Sequence, residues 1–134
     1  MTPRRAAVVV LAAVAAFAAV ARAEYFDAAL TRLQLEQRFS EVRAAKKLRV
    51  DKPLRWEYRF SSSDLKALED LSVQLAAENY KIVTLHAPRA GEPAATLHVM
   101  RVEQHTPASL LQRGEELGRR AMEHGATYDG VDAG

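Results

Sequence analysis

The chain has 134 residues, with 19 lysines and arginines, 17 acids and no cysteine. That is one domain's worth of length, and it excludes disulfides, thiolate metal sites and a lipoprotein cleavage site. The formal charge of +2 is an N-terminal effect: residues 1–23 hold Arg4, Arg5 and Arg22 and no acid, which leaves 16 basic and 17 acidic residues, net −1, in the rest. Charge balance therefore gives no ground for a nucleic-acid partner.

Residues 1–23 read as a secretory signal peptide. Arg4 and Arg5 make a positive n-region, and Ala6 to Ala21 is a 16-residue apolar run. Ala21-Arg22-Ala23 places small residues where a signal peptidase reads them, so cleavage is expected between Ala23 and Glu24. The product would be periplasmic or secreted, with no membrane contact after cleavage. The alternative is an inner-membrane anchor over residues 6–21, although the run is short of the about 20 residues a span needs. The remaining 111 residues are enough to bury roughly 60–70% of their unfolded surface.

Residues 25–49 read as a helix, with Phe26, Leu30, Leu33, Leu35, Phe39 and Val42 at three- and four-residue steps. Its apolar stripe is narrow, so it lies on a surface, either of this domain or of a partner. Lys46, Lys47 and Arg49 suit the negative end of the helix dipole, and Val50-Asp51-Lys52-Pro53 ends it.

Leu54 to Phe60 alternates strictly. Leu54, Trp56, Tyr58 and Phe60 are apolar, and Arg55, Glu57 and Arg59 are charged, the period of a strand with one buried face. Ser61 with Asp64 reads as the capping box of the next helix. Leu65, Leu68, Leu71, Ser72 and Leu75 mark that helix's inner face, and Asn79 closes it in a left-handed conformation.

Tyr80 to His86 is a β-branched strand. Ala87 to Pro93 is a turn rich in proline and glycine, and Ala95 to Glu103 is the returning strand. Thr106 caps a helix that has Pro107 at its first position. Leu110, Leu111, Gly114, Leu117, Ala121 and Met122 form its inner face, with Gly114 and Gly118 allowing close approach to a sheet. Gly125 ends it, and Ala126 to Gly130 reads as a short last edge strand.

The order after residue 50 is β-α-β-β-α-β. This predicts an α+β, ferredoxin-like sandwich with a four-stranded antiparallel sheet and two helices on one face. The domain layout is a leader at 1–23, an N-terminal amphipathic helix at 24–50 and the sandwich at 51–134. Arg55, Glu57 and Arg59 are expected on the face opposite the two helices.

Trp56-Glu57-Tyr58-Arg59-Phe60, followed by Ser62-Ser63-Asp64-Leu65-Lys66-Ala67-Leu68-Glu69, resembles the first strand and helix start of the ribonuclease E inhibitor family, also called regulator of ribonuclease activity B. Leu110-Leu111, Gly114-Glu115-Glu116-Leu117 and the closing Tyr128-Asp129-Gly130 resemble that family's last helix and end. The resemblance covers residues 54–130. It implies a non-enzymatic protein that binds ribonuclease E and modulates RNA decay.

Several constellations weigh on function. His86, His98, His105 and His124 have no helical i, i+3 or i, i+4 pairing with another ligand, so solvated or singly hydrogen-bonded histidines are expected, not metal ligands. No cofactor is implied. No Ser, His and Asp arrangement is tied to a recognisable turn, so no catalytic residue is assigned. Residues 43–59 hold seven basic and two acidic residues beside Trp56 and Tyr58, the ingredients of an RNA-binding sheet. However, the returning strand has no stacking aromatic, and exposing Trp56 and Tyr58 would bury Arg55, Glu57 and Arg59.

Tyr128, Asp129 and Gly130 read equally as a partner contact or as a packed tyrosine followed by a turn glycine. The resulting expectation is an exported protein-binding regulator whose partner is unidentified. It would act through its N-terminal helix or its open sheet face, with Arg55, Glu57, Arg59, Tyr128, Asp129 and Gly130 as candidate contacts. The alternatives are a cytoplasmic or membrane-tethered inhibitor of ribonuclease E and an RNA-binding module.

Overall fold

The structure, a computed structural model, describes residues 23–134; the expected leader at 1–23 and the anchor at 6–21 thus fall outside the described residues, save Ala23. The elements are β1 (Glu24–Asp27), α1 (Arg32–Ala44), β2 (Leu54–Ser62), α2 (Leu65–Ala77), β3 (Lys81–His86), β4 (Ala95–Glu103), α3 (Pro107–Glu123) and β5 (Thr127–Ala133). They build a five-stranded antiparallel sheet in the order β1-β5-β2-β4-β3. The last four strands in that order are the ferredoxin-like arrangement, with β2 in the centre. The fifth strand, β1, is an addition at the β5 edge.

β2 anchors the core as its alternation predicts. Trp56 and Tyr58 have no exposed surface and Phe60 has 1%, each burial stabilising by roughly 1.5–3 kcal/mol. Onto them pack Leu68, Leu71 and Leu75 of α2 and Leu110, Leu117 and Ala121 of α3. The α2 stripe is the one expected. On α3, Gly114 does face the sheet, since an added β-carbon would lie 3.4 Å from the Tyr128 ring, but Gly118 faces open space and Met122 is exposed.

The N-terminal region departs from the expected helix over 25–49. Residues 24–27 form β1, and the helix runs only from Arg32 to Ala44. The local signals for this are at Asp27 and Thr31. The Asp27 carboxylate accepts from the Ala29 amide at 2.8 Å, turning the chain out of the strand. Thr31 and Gln34 then form a reciprocal capping box that starts the helix. Phe26 satisfies a helical period and a strand period alike, and β5 decides between them by offering an unpaired edge. α1 turns most of its apolar stripe inside this domain, although Leu33 stays 63% exposed. Phe39 packs 5.5 Å from the Phe26 ring and 6.4 Å from Trp56, and Leu35 and Val42 are buried. α1 also packs on α3, so all three helices cover one face of the sheet.

Three smaller differences have clear causes. The cap of α2 is Asp64, whose carboxylate accepts from the Lys66 amide at 3.0 Å. Ser61 stays in β2, paired with Thr96 and Thr127, and the buried Ser62 hydroxyl donates to the Gly125 carbonyl at 3.0 Å. β5 is longer than expected and is not an edge, because β1 pairs along its outer side. Asn79 takes the left-handed conformation expected of it, with φ 71°.

Candidate functional site: the open face of the sheet

With the helices on one side, no other described residues cover the opposite face of the sheet, and strand register fixes what it shows. One row across the strands is Tyr25, Asp132, Glu57, Met100 and Lys81. The next is Asp27, Gly130, Arg59, His98 and Thr84. Arg55 stands at the start of β2, its backbone paired with Gly134 at 3.0 and 3.1 Å. The sequence reading placed Arg55, Glu57 and Arg59 opposite the α2–α3 layer, and there they are.

This face is laced by ion pairs. Arg55 lies 3.5 Å from Glu57, and Arg59 is paired with Asp132. The Arg59 guanidinium also sits over the Tyr25 ring, 5.4 Å from its centroid. His98 Nδ1 lies 3.4 Å from Glu57. Burial, then the charge of Arg59, pushes the His98 pKa down against the pull of Glu57. His98 is therefore neutral at neutral pH, and the Glu57 carboxylate keeps capacity for an incoming donor.

The Tyr128-Asp129-Gly130 segment divides between the two faces. Tyr128 is buried on the helix side, 5.5 Å from the Phe60 ring and 6.4 Å from Tyr58, and burial raises its pKa. It supports the surface from beneath and is not part of it. Asp129 is the extra residue of a β-bulge, since Arg59 pairs with Gly130 and Phe60 with Tyr128. Its carbonyl accepts from the Tyr25 hydroxyl at 2.7 Å and from the Ala28 amide at 3.2 Å. Gly130 does not form a turn. It lies within β5 at φ +143°, where an added β-carbon would sit 2.6 Å from the Phe26 carbonyl oxygen. The motif is the device that docks β1 onto the sheet.

Sequence reading missed a second cluster, at the far end of β4. The Glu103 carboxylate accepts from Arg113 at 2.8 Å, from His105 at 3.1 Å and from the Tyr58 hydroxyl in a very short bond. The Glu103 carbonyl accepts from the Trp56 indole at 2.8 Å. Burial works to raise the Glu103 pKa, but the hydrogen bonds from His105 and Tyr58 and the charges of His105 and Arg113 outweigh it and hold the group at about 2. His105 is buried and has three side-chain partners, Tyr58 at 2.8 Å, Ser109 at 2.9 Å and Glu103, so the expectation of a solvated or singly bonded histidine does not hold here. The one available signal was Glu-x-His before a helix cap, which is too common to read.

Ser109, His105 and Glu103 thus touch in the sequence of a hydrolytic triad, next to a polar hollow of about 270 Å³. The cap speaks against that chemistry. Ser109 Oγ accepts from the Thr106 amide at 2.8 Å, and the Ser109 and Leu110 amides are spent on Thr106 at 3.1 and 2.9 Å. Pro107 has no N–H, so the first turn has few donors left for an oxyanion. Among the described residues no group of three His, Asp or Glu side chains is placed to hold a metal ion, and no helix is long and apolar enough to cross a membrane.

A search of curated proteins returned no match. The family model described as regulator of ribonuclease activity B matches residues 44–132. The match runs from the end of α1 to the penultimate residue of β5, taking in the central strand, the buried Glu103–His105 cluster and the bulge that carries Tyr128-Asp129-Gly130. On that match and this fold, the chain belongs to the regulator of ribonuclease activity B family.

Proposed function

We propose that this chain is a non-catalytic, protein-binding regulator that acts by covering a protein surface with the open face of its sheet. The observation that carries the reading is the one-sided fold. Among the described residues all three helices lie on one face, α1 has buried Leu35, Phe39 and Val42 in the core, and the opposite face keeps charged side chains held in register by strand pairing. Arg55, Glu57 and Arg59 are its contact residues, with Asp132 and Tyr25 holding Arg59 in place. Ion pairs on such a face favour specificity and encounter rate over raw affinity.

The family makes ribonuclease E the first partner to test. The leader points elsewhere: a chain exported by residues 1–23 would meet a different protein, in the periplasm or outside. Cleavage between Ala23 and Glu24 suits the fold, because Glu24 is the first residue of β1 and is paired with Ala133 and with Arg38 at 2.8 Å. The mature chain would keep its whole sheet.

The test has two parts. Intact mass and fractionation in a Gram-negative host should give a periplasmic product starting at Glu24; a full-length cytosolic product would reject export. Immobilised ribonuclease E is then exposed to the wild type and to a R55E/R59Q variant. Capture that falls at least tenfold in a variant with native circular dichroism supports the open face, and unchanged capture removes it. A periplasmic product that fails to bind ribonuclease E would leave the regulator with another protein partner.

A further inference from the structure

The last turn of α1 and the loop that follows it carry a concentration of unpaired positive charge that the open face lacks. Arg43, Lys46, Arg49 and Lys52 make no ion pair among the described residues, and all four are exposed. Lys47 reaches Glu24 only at 3.9 Å and is itself exposed. The acids nearest in sequence are Glu41 and Asp51, both exposed, and Glu24, which Lys47 approaches, is already held by Arg38. On the sheet face, by contrast, Arg55 and Arg59 are both neutralised by neighbours.

The loop is also rigidly staked. Lys46 adopts φ 56°, and its amide and that of Lys47 bond back to Arg43 and Val42 at 3.1 and 2.9 Å, closing α1. Leu48 and Val50 are then buried, 8% and 2% exposed. Alternate residues therefore plug into the core, and Lys47 and Arg49 are turned outward between them. The Lys52 amide bonds to the Arg49 carbonyl at 3.0 Å. A backbone held in place loses little loop entropy on binding, which is what distinguishes this loop from a solvated charge run.

We infer that residues 43–52 form a docking site for an acidic, carboxylate-rich protein segment, a surface separate from the open sheet face. A polyanion is called for because five cations and one acid are clustered here, while the rest of residues 24–134 holds 11 basic and 16 acidic residues. A nucleic acid is the poorer fit, since Trp56 and Tyr58 have no exposed surface on which a base could stack. A lipid surface is also poorer, because the loop's apolar residues Leu48 and Val50 face inward and leave nothing to insert. The inference stands whether or not the open face binds a ribonuclease.

The test uses the chain from Glu24 to Gly134, with a labelled deca-glutamate peptide, a labelled deca-uridylate and phosphatidylglycerol vesicles as probes. The peptide should bind at 20 mM salt and weaken at least tenfold by 200 mM, as screening requires. A K46Q/R49Q/K52Q variant should lose at least tenfold in peptide affinity. R89Q/R119Q, which removes two exposed cations elsewhere, should lose less than twofold, and R55E/R59Q should also bind the peptide normally, separating this site from the open face. No peptide binding at low salt, equal loss in the R89Q/R119Q control, or tighter binding of the oligonucleotide or the vesicles than of the peptide would overturn the assignment.

Discussion

A β-carbon at position 130 has nowhere to go: Phe26 O and Tyr25 Oη both lie 2.6 Å from where it would stand, at φ +143°. Gly130→Ala should therefore cost about 2–4 kcal/mol in urea unfolding, by combining a strained backbone with displacement of β1. Tyr25→Phe, which removes only the bond to the Asp129 carbonyl, should cost about 1 kcal/mol. Equal losses in the two variants would mean that the glycine has no special role. At Glu103 the balance is electrostatic. Its folded pKa of about 2 lies below the ordinary 4.5, so the carboxylate's contribution is complete above pH 4.5 and disappears as pH falls toward 2. The full shift corresponds to on the order of 3 kcal/mol. Urea unfolding at pH 7 and pH 3 should show a clear loss for the wild type and a smaller one for Glu103→Gln, which is already destabilised at pH 7 by the partners it strands. Parallel pH curves for the two proteins would show that Glu103 is not the acid-sensitive group.

At the scale of elements, β1 is the piece that sequence periodicity misassigns and that the sheet depends on. It covers β5, which would otherwise be an edge, and it brings Phe26 against Phe39 and Trp56 at 5.5 and 5.8 Å. A chain beginning at Ala28 loses a fully buried phenylalanine and exposes the backbone of β5. It should be less stable by about 3–5 kcal/mol and should self-associate in size-exclusion chromatography through the freed edge. A monodisperse truncated monomer of wild-type stability would count against β1 as a sheet element. For α3, Thr106→Ala removes the hydroxyl that accepts from the Ser109 amide and should cost about 1 kcal/mol. Because Ser109 also holds His105, the loss should show in the near-ultraviolet signal of Trp56, whose ring meets His105 edge-on at 4.9 Å.

For the whole molecule, the tyrosines report how closed the fold is. The chain has four, and burial is the first cause of a raised pKa at Tyr25, Tyr58, Tyr80 and Tyr128. A tyrosine whose folded pKa is raised adds stability that is whole below pH 10 and erodes as pH climbs past it, because only the unfolded chain then ionises. Phenolate absorbance should therefore stay low at pH 10 and rise together with loss of circular dichroism. Absorbance that rises normally while the fold persists would contradict the packing around Tyr58 and Tyr128. The same closure defines the functional surfaces. With Trp56 and Tyr58 sealed under three helices, what the molecule offers a partner is the open charged face and the staked basic loop.

The sequence by itself determined the βαββαβ order, the central place of Trp56, Tyr58 and Phe60, and the orientation of Arg55, Glu57 and Arg59. Each follows from local rules: period-two alternation, the Thr106-Pro107 cap, the Asn79 and Gly125 stops. Its family resemblance is the one the model match shows. Only the tertiary structure decided the rest. Phe26 fits either a helix or a strand until β5 supplies an edge, and Gly130 looks like a turn glycine until β1 places the Phe26 carbonyl 2.6 Å from where a β-carbon would stand. Glu103, His105, Arg113 and Tyr58 span 56 residues of sequence and become one network only when β2, β4 and α3 pack. Pairings at that separation leave no periodic trace in a sequence, because loop closure and side-chain packing, not backbone repeat, select them.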